Sequence, residues 1–223
     1  NVSPAEAKKF EAFRSAGVNR LSLGVQSLDD DALKFLGREH TATDAIAALD
    51  HGKNLFPMVS IDLIYARPGQ AVPAWQDELT QALEQGIDHL SLYQLTIEPG
   101  TPFAQKKVEP AEEDLAASLY ETTNAVLEAA DLPAYEVSNH ARPGHQCRHN
   151  LTYWQGGDYV GLGPGAHGRL TQGQTNALYQ IHTPGRWLDA VESRNHGTAR
   201  RTALTEIERR EELIMLGLRR SEG

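Results

Sequence analysis

With 223 residues the chain is long enough for one large domain or two small ones; its formal charge of −9, from 21 basic and 30 acidic side chains, argues against a surface that binds a nucleic-acid backbone. The single cysteine, Cys147, excludes an internal disulfide and any iron–sulfur cluster ligated by this chain alone, because such clusters take three or four thiolates. No run reaches the roughly 18 apolar residues of a membrane span, and NVSPAEAKKF lacks an apolar signal core, so a cytoplasmic protein is expected.

In chain order, PAEAKKFEAFRSAG has helical spacing and ends at Gly17, suited to the position just past a helix end. VNRLSLGVQ then reads as a buried strand, and Ser27 is placed to cap the helix DDDALKFLG. A helix from about Thr43 to Lys53 precedes the strand VSIDLIYA. After the turn ARPGQ come the helix VPAWQDELTQALEQG and the strand HLSLYQLTI. The longest helical pattern, about 110–130, puts Leu115, Leu119, Val126 and Leu127 on one core-facing side, and AYEVSNHA follows as a fourth strand. Residues from Ala141 to about Asn176 shift to Gly, Pro, His and Asn and are expected to form a long ordered loop with one short strand, DYVGL. Helices return at PGRWLDAVESR and TEIERREELIMLGLRR, and the chain stops at SEG as a cut boundary would.

Apolar strands alternating with helices predict an α/β fold with a parallel sheet, either doubly wound or curved into part of a barrel. Ligands bind such sheets at the C-terminal ends of the strands. Those ends carry Gln26, then Asp62 and Tyr65, then Gln94 and Thr96, then Glu136, Ser138 and Asn139, which is polar on every strand and favours a polar ligand pocket. Arg38 and Arg67 follow the first two strands and could pair with substrate carboxylates, although arginines near helix ends commonly do nothing specific.

GLGPGA, Gly161 to Ala166, matches a dinucleotide-binding spacing, but Pro164 lies inside it and no helix follows to receive a pyrophosphate. Its glycines are expected to let the backbone turn and approach a flat or bulky ligand closely. His140, His145, Cys147 and His149 fall within ten residues without the paired spacing of a zinc site. His149 stands apart because Asn150, Tyr153 and Trp154 surround it: an imidazole that can ligate iron, an amide that can orient it, and aromatic faces for a planar macrocycle. From spacing alone, an aromatic anchor that ties the loop to the barrel is the slightly favoured explanation of these residues.

GVNRLSLGVQSLDDDALKFLGREH, IDLIYARPGQ, HLSLYQLTIEPGTPF, YEVSNHARPGHQCRHNLTYWQGGDYVGLGPGAHGR and LIMLGLRRSEG, in that order, resemble the oxygen-independent coproporphyrinogen III oxidase-like proteins of the radical S-adenosylmethionine (radical SAM) class. Within that family HNLTYW is similar to the H-N-x-x-Y-W signature of the haem chaperone branch. The resemblance implies a partial (β/α) barrel over residues 1–140, followed over 141–223 by a Gly-rich haem loop and C-terminal helices packed on the same domain. It implies that Gln26, Arg38 and Asp62 contact S-adenosylmethionine, and that His149, with Asn150, Tyr153 and Trp154, holds haem through its iron. The implied activity is binding of haem and its transfer to acceptor proteins; the alternative is oxidative decarboxylation of coproporphyrinogen III by the oxidase branch. The implied partners are haem or a porphyrinogen and haem-acceptor proteins, without nucleic acid and without a membrane span, peripheral membrane association being left open.

Two departures accompany the resemblance. The family's C-x-x-x-C-x-x-C motif, which holds a [4Fe–4S] cluster, and its glycine-rich cofactor motif are absent, so the cluster ligands are expected outside this chain, a central piece of a longer protein. Ala66-Arg67 also replaces the Gly-Leu of many relatives.

Overall fold

Three apolar runs become parallel strands, β1 (Arg20–Gln26), β2 (Met58–Tyr65) and β3 (His89–Gln94), in the computed structural model, which describes residues 7–222. Alternation along each strand sorts its side chains: Leu23 and Val25, Ile61, Leu63 and Tyr65, and Leu90 and Leu92 are all buried, facing a helical layer. The described chain divides into two compact units, the first ending at Gln146 and the second beginning at Cys147.

In the first unit α1 (Phe10–Ser15) realises the first helical pattern; residues 4–6 of that pattern lie outside the described residues. After β1 come α2 (Asp30–Phe35) and α3 (Ala42–Leu55), the latter opened by a reciprocal cap between Thr41 and Asp44. α4 (Val72–Glu84) and, beyond the short α5 (Pro102–Gln105), α6 (Glu113–Ala129) complete the layer. Trp75 on α4 is fully buried, stacks on Tyr65 at 5.3 Å and donates to Thr123 Oγ1 of α6 at 2.8 Å, so one side chain joins sheet and both helices. Leu119 and Leu127 are fully buried as expected, with Leu115 and Val126 packed partly exposed beside them.

Two local expectations change. The cap of α2 is Asp29, whose carboxylate accepts from Ala32 N at 2.7 Å; the Ser27 hydroxyl is drawn instead into a buried ion pair. AYEVSNHA is not one parallel strand but a hairpin, β4 (Ala134–Glu136) and β5 (Asn139–Ala141), with β5 antiparallel to β3, giving the order β1-β2-β3-β5-β4. No helix separates β4 from β5, and only two residues, Val137 and Ser138, link them, which leaves no length for a parallel crossover.

The second unit begins with α7 (Arg148–Trp154). The expected loop then yields strand structure in another place: DYVGL contributes one isolated bridge, Tyr159 to Arg169, whereas β6 (His167–Gln172), β7 (Gln174–Gln180) and β8 (Thr198–Ala203) form an antiparallel sheet. These strands bury few apolar residues, so their alternation is nearly silent in the sequence. α8 (Pro184–Arg194) and α9 (Glu206–Gly217) match the expected helices, and Glu212 of α9 pairs with Arg169 of β6 at 2.7 Å and with Arg209 at 2.6 Å.

Candidate functional site

The sheet face turned away from the helices is polar, and the strand register lines it up. Ser22 is paired with Ser60, Asp62 with Ser91, and Ser91 with Asn139. Hydrogen bonds run along this row: Ser60 Oγ donates to Ser22 Oγ at 2.9 Å, Ser22 Oγ to Asp62 Oδ1 at 2.8 Å, Ser91 Oγ to Asn139 Oδ1 at 2.8 Å, and the Asn139 amide to Glu136. Burial holds the Asp62 carboxyl above the usual carboxylate range, against the hydrogen bond from Ser22 that pulls it down. Tyr93, also on this face and exposed, is raised by burial and then by the neighbouring Asp62.

Gln26 ends β1 with φ 74°, a left-handed conformation that costs a non-glycine residue about 1 kcal/mol or more. The two residues after it are tied down on all sides. Ser27 is fully buried; its hydroxyl donates to Glu78 Oε1 and accepts from Arg67 Nη1 at 2.8 Å, while Leu28 N donates to the same Glu78 oxygen at 2.9 Å. Arg67 in turn pairs with Glu78 at 2.7 Å. Arg67 is therefore a structural group rather than a free ligand contact: its guanidinium is spent on Glu78, Ser27 and the Ile64 carbonyl. Ala66 beside it takes φ 55°, a conformation glycine adopts without strain, which accounts for the Gly at this place in the family pattern.

The strand-end residues do not all share a face. Gln26 and Asp62 both sit on the polar side, with Glu136 and Asn139 buried at its far end. Tyr65 lies on the helical side against Trp75, and burial pushes its hydroxyl up to about 12. Gln94, in register with Tyr65, and Thr96 are exposed, and Ser138 supplies a carbonyl to Leu92 N at 2.7 Å. Arg38 is half-buried at the turn after α2, where its N–H closes the helix end on the Leu33 carbonyl. Sequence reasoning missed Ser22, Gly24 and Tyr93; the period-two S-x-G-x-Q of β1 is the signal that places Ser22 and Gly24 beside Gln26.

In the second unit His149 is exposed on α7 with Tyr153 edge-on to its ring at 4.7 Å, and Tyr159 edge-on to Tyr153 at 4.4 Å. Positions 149 and 153 share one helical stripe, 150 and 154 the next; the Trp154 ring is covered by the Arg219 guanidinium at 4.4 Å rather than presented beside the imidazole. Within the glycine run a methyl on Gly161 would collide with the His167 carbonyl oxygen, so there the close approach is to β6, while Gly163 and Gly165 turn the backbone with φ 98° and 73°. His140 is buried on β5, and His145 lies 3.5 Å from Asp88. Among the described residues no three His, Cys, Asp or Glu side chains come together to hold a metal ion.

The donor set on the polar face, the Asp62 carboxylate and the Gln26 carboxamide, fits a ligand that carries hydroxyls and an ammonium, while the half-buried Arg38 lies at the turn after α2. The exposed, braced imidazole of His149 fits an axial bond to a planar iron complex. One cysteine does not fit a [4Fe–4S] cluster.

Together the parallel strands, the helical layer and the polar face define the partial (β/α) barrel of the radical SAM class. The solved coproporphyrinogen III oxidase HemN of Escherichia coli, a radical SAM enzyme, superposes on 98% of this chain and 53% of its own with a TM-score of 0.79 at 21% identity, a likeness of fold. The mitochondrial radical S-adenosyl methionine domain-containing protein 1 of Bos taurus is 45% identical over all of this chain and 53% of its own length. The haem chaperone HemW of Escherichia coli is 41% identical over 77% of the chain and 46% of itself, and that of Bacillus subtilis 33% identical over 100% and 59%. The chain belongs to the radical SAM family of these relatives. It spans about half the length of the curated relatives it matches. No protein-family model matches the chain. No helix among the described residues is long and apolar enough to cross a membrane.

Proposed function

We propose that this chain is the central part of a haem chaperone that binds haem and passes it to acceptor proteins. The observation that carries the reading is His149, exposed within the sequence HNLTYW and held edge-on by Tyr153. In this reading His149 is the axial ligand of haem iron, Tyr153 fixes the imidazole plane, and Asn150 and Trp154 shape the neighbouring stripe of α7. Names of relatives support it: those at 41% and 33% identity are haem chaperones, whereas the likeness to coproporphyrinogen III oxidase is one of fold.

Gln26, Arg38 and Asp62 are assigned to S-adenosylmethionine, whose chemistry when bound is that of an adenosyl donor. Asp62 accepts hydrogen bonds from it, Gln26 offers its amide from the rim, and Arg38 answers a carboxylate. The [4Fe–4S] cluster belongs to thiolates outside this chain, and no step is routed through it. Haem-acceptor proteins are the partners this reading requires. A cytoplasmic location, in keeping with one cysteine, stands beside the mitochondrial one named for the bovine relative.

Haem titration of the intact, anaerobically reconstituted protein beside a coproporphyrinogen turnover assay tests the proposal. His149→Ala is expected to abolish the Soret shift. Unchanged haem binding in that variant removes His149 from the site, and turnover of coproporphyrinogen by the wild type replaces the chaperone reading with the oxidase one.

A further inference from the structure

Asp62 is half-buried on the polar face, and its Oδ1 accepts from the Ser22 hydroxyl at 2.8 Å. A serine hydroxyl on an open face ordinarily rotates among several partners. Here it does not, because Ser60, only 1% exposed, donates its own proton to Ser22 Oγ at 2.9 Å. That bond occupies a lone pair of Ser22 and turns its proton toward Asp62. Ser91, in register with Asp62 on the other side, donates to the Asn139 amide oxygen at 2.8 Å and acts on Asp62 second to Ser22, both hydroxyls pulling the carboxyl down against its burial. The order Ser60 to Ser22 to Asp62 is therefore directional. It fixes the Oδ1 oxygen of Asp62 from the β1 side.

We propose that Ser22, oriented by Ser60, is a positioning residue that holds the Asp62 carboxylate in the rotamer that receives a hydroxyl or ammonium donor of the adenosyl cofactor. The inference rests on the reading of Asp62 as a cofactor contact. Neither serine needs to touch the cofactor for this role. Strand register alone supplies the relay: β1 and β2 place two hydroxyls side by side on the polar face, with the carboxylate one strand position pair further along β2.

The test is anaerobic calorimetry of S-adenosylmethionine binding to the intact, cluster-reconstituted protein, with thermal unfolding of each variant in parallel. Asp62→Asn is expected to weaken binding at least about tenfold, Ser22→Ala about fivefold, and Ser60→Ala by less in the same direction. Ser22→Thr keeps the hydroxyl and is expected to restore wild-type affinity, a recovery that a packing role for Ser22 does not produce. If Asp62→Asn weakens binding while Ser22→Ala matches the wild type, or if Ser22→Thr binds no better than Ser22→Ala, the positioning role is overturned and the cofactor site stands. If Asp62→Asn itself binds normally, the cofactor reading of this face fails, and the inference goes with it.

Discussion

Gln26 folds its carboxamide back over Gly24, so closely that a Cβ on Gly24 would stand 2.6 Å from Nε2. Both residues sit on the face that carries Ser22 and Asp62, two positions apart along β1, so the strand's S-x-G-x-Q spacing gives each residue a separate job. Ser22 holds a carboxylate, Gly24 clears space, and Gln26 fills that space with an amide.

Replacing Gly24 by Ala therefore acts on Gln26 and not on the core. The displaced atom is the end of a flexible side chain, and Ala restricts the unfolded chain more than Gly, so stability is expected to stay level or rise by about 0.5 kcal/mol. Affinity for S-adenosylmethionine is expected to fall about fivefold as the amide leaves its seat. Calorimetry and thermal unfolding of Gly24→Ala, read together, check the split; a drop in both would mean the strand rather than the amide had moved.

The ion pair of Arg67 and Glu78 has side chains only 10% and 6% exposed and also binds the Ser27 hydroxyl. Removing one partner leaves the other charge buried and uncompensated, at a cost of about 3–5 kcal/mol. Glu78→Gln is expected to lower the melting temperature of the intact protein sharply. The double substitution Arg67→Met with Glu78→Leu is expected to recover most of that loss, because it removes both charges, yet to leave Gln26 less firmly held. Denaturation of the two variants side by side decides it: equal losses would contradict the account.

How much of the fold and site is legible in the sequence differs by element, for physical reasons. Runs such as VSIDLIYA announce buried parallel strands because the helix-facing residues are uniformly apolar, and β1 to β3 lie where those runs are. The hairpin of β4 and β5 hides inside AYEVSNHA because its two halves bury side chains almost continuously, which masks the turn at Val137 and Ser138. Strands β6 to β8 hide for the opposite reason, being polar and half-exposed. Arg67 misleads because a guanidinium near a strand end looks the same in sequence whether it waits for a ligand or is consumed by a glutamate 11 residues on. The polar row depends on register between strands some 40 residues apart, which no local pattern encodes.

Acid sensitivity arises from two buried imidazoles. Burial lowers His89 to about 3, with the Arg20 guanidinium and His140 adding to the effect, and lowers His140 to about 4. In the unfolded chain both titrate near the ordinary histidine value of about 6.5. Above that pH both states are neutral and the stability is full. As the pH falls from 6.5 toward 4 the unfolded state takes protons that the folded one refuses, and stability is lost at up to about 2.7 kcal/mol per pH unit for two groups. Asp62, raised by burial, works in the opposite sense at the acid end of that window. Thermal unfolding from pH 7.5 to 4.5 is expected to fall more steeply for the wild type than for His89→Gln with His140→Gln; parallel curves would assign the acid loss to other groups.

The aromatic ladder of α7 makes a graded prediction about haem. His149, Tyr153 and Tyr159 meet edge to face in sequence, with interplanar angles of 89° and 70°, an arrangement in which each ring's positive edge meets its neighbour's negative face. Such a pair contributes about 0.5–1.5 kcal/mol beyond burial, so its removal frees the imidazole plane without removing the ligand. Tyr153→Leu preserves helix propensity on α7 and is expected to weaken haem binding about fivefold while the Soret position of the complex stays that of the wild type. Tyr159→Leu, one ring further out, is expected to act in the same direction with a smaller loss. Loss of the wild-type Soret band in Tyr153→Leu would instead make the tyrosine part of the ligand set, and an affinity equal to the wild type's would show that the imidazole is oriented by something other than this ladder.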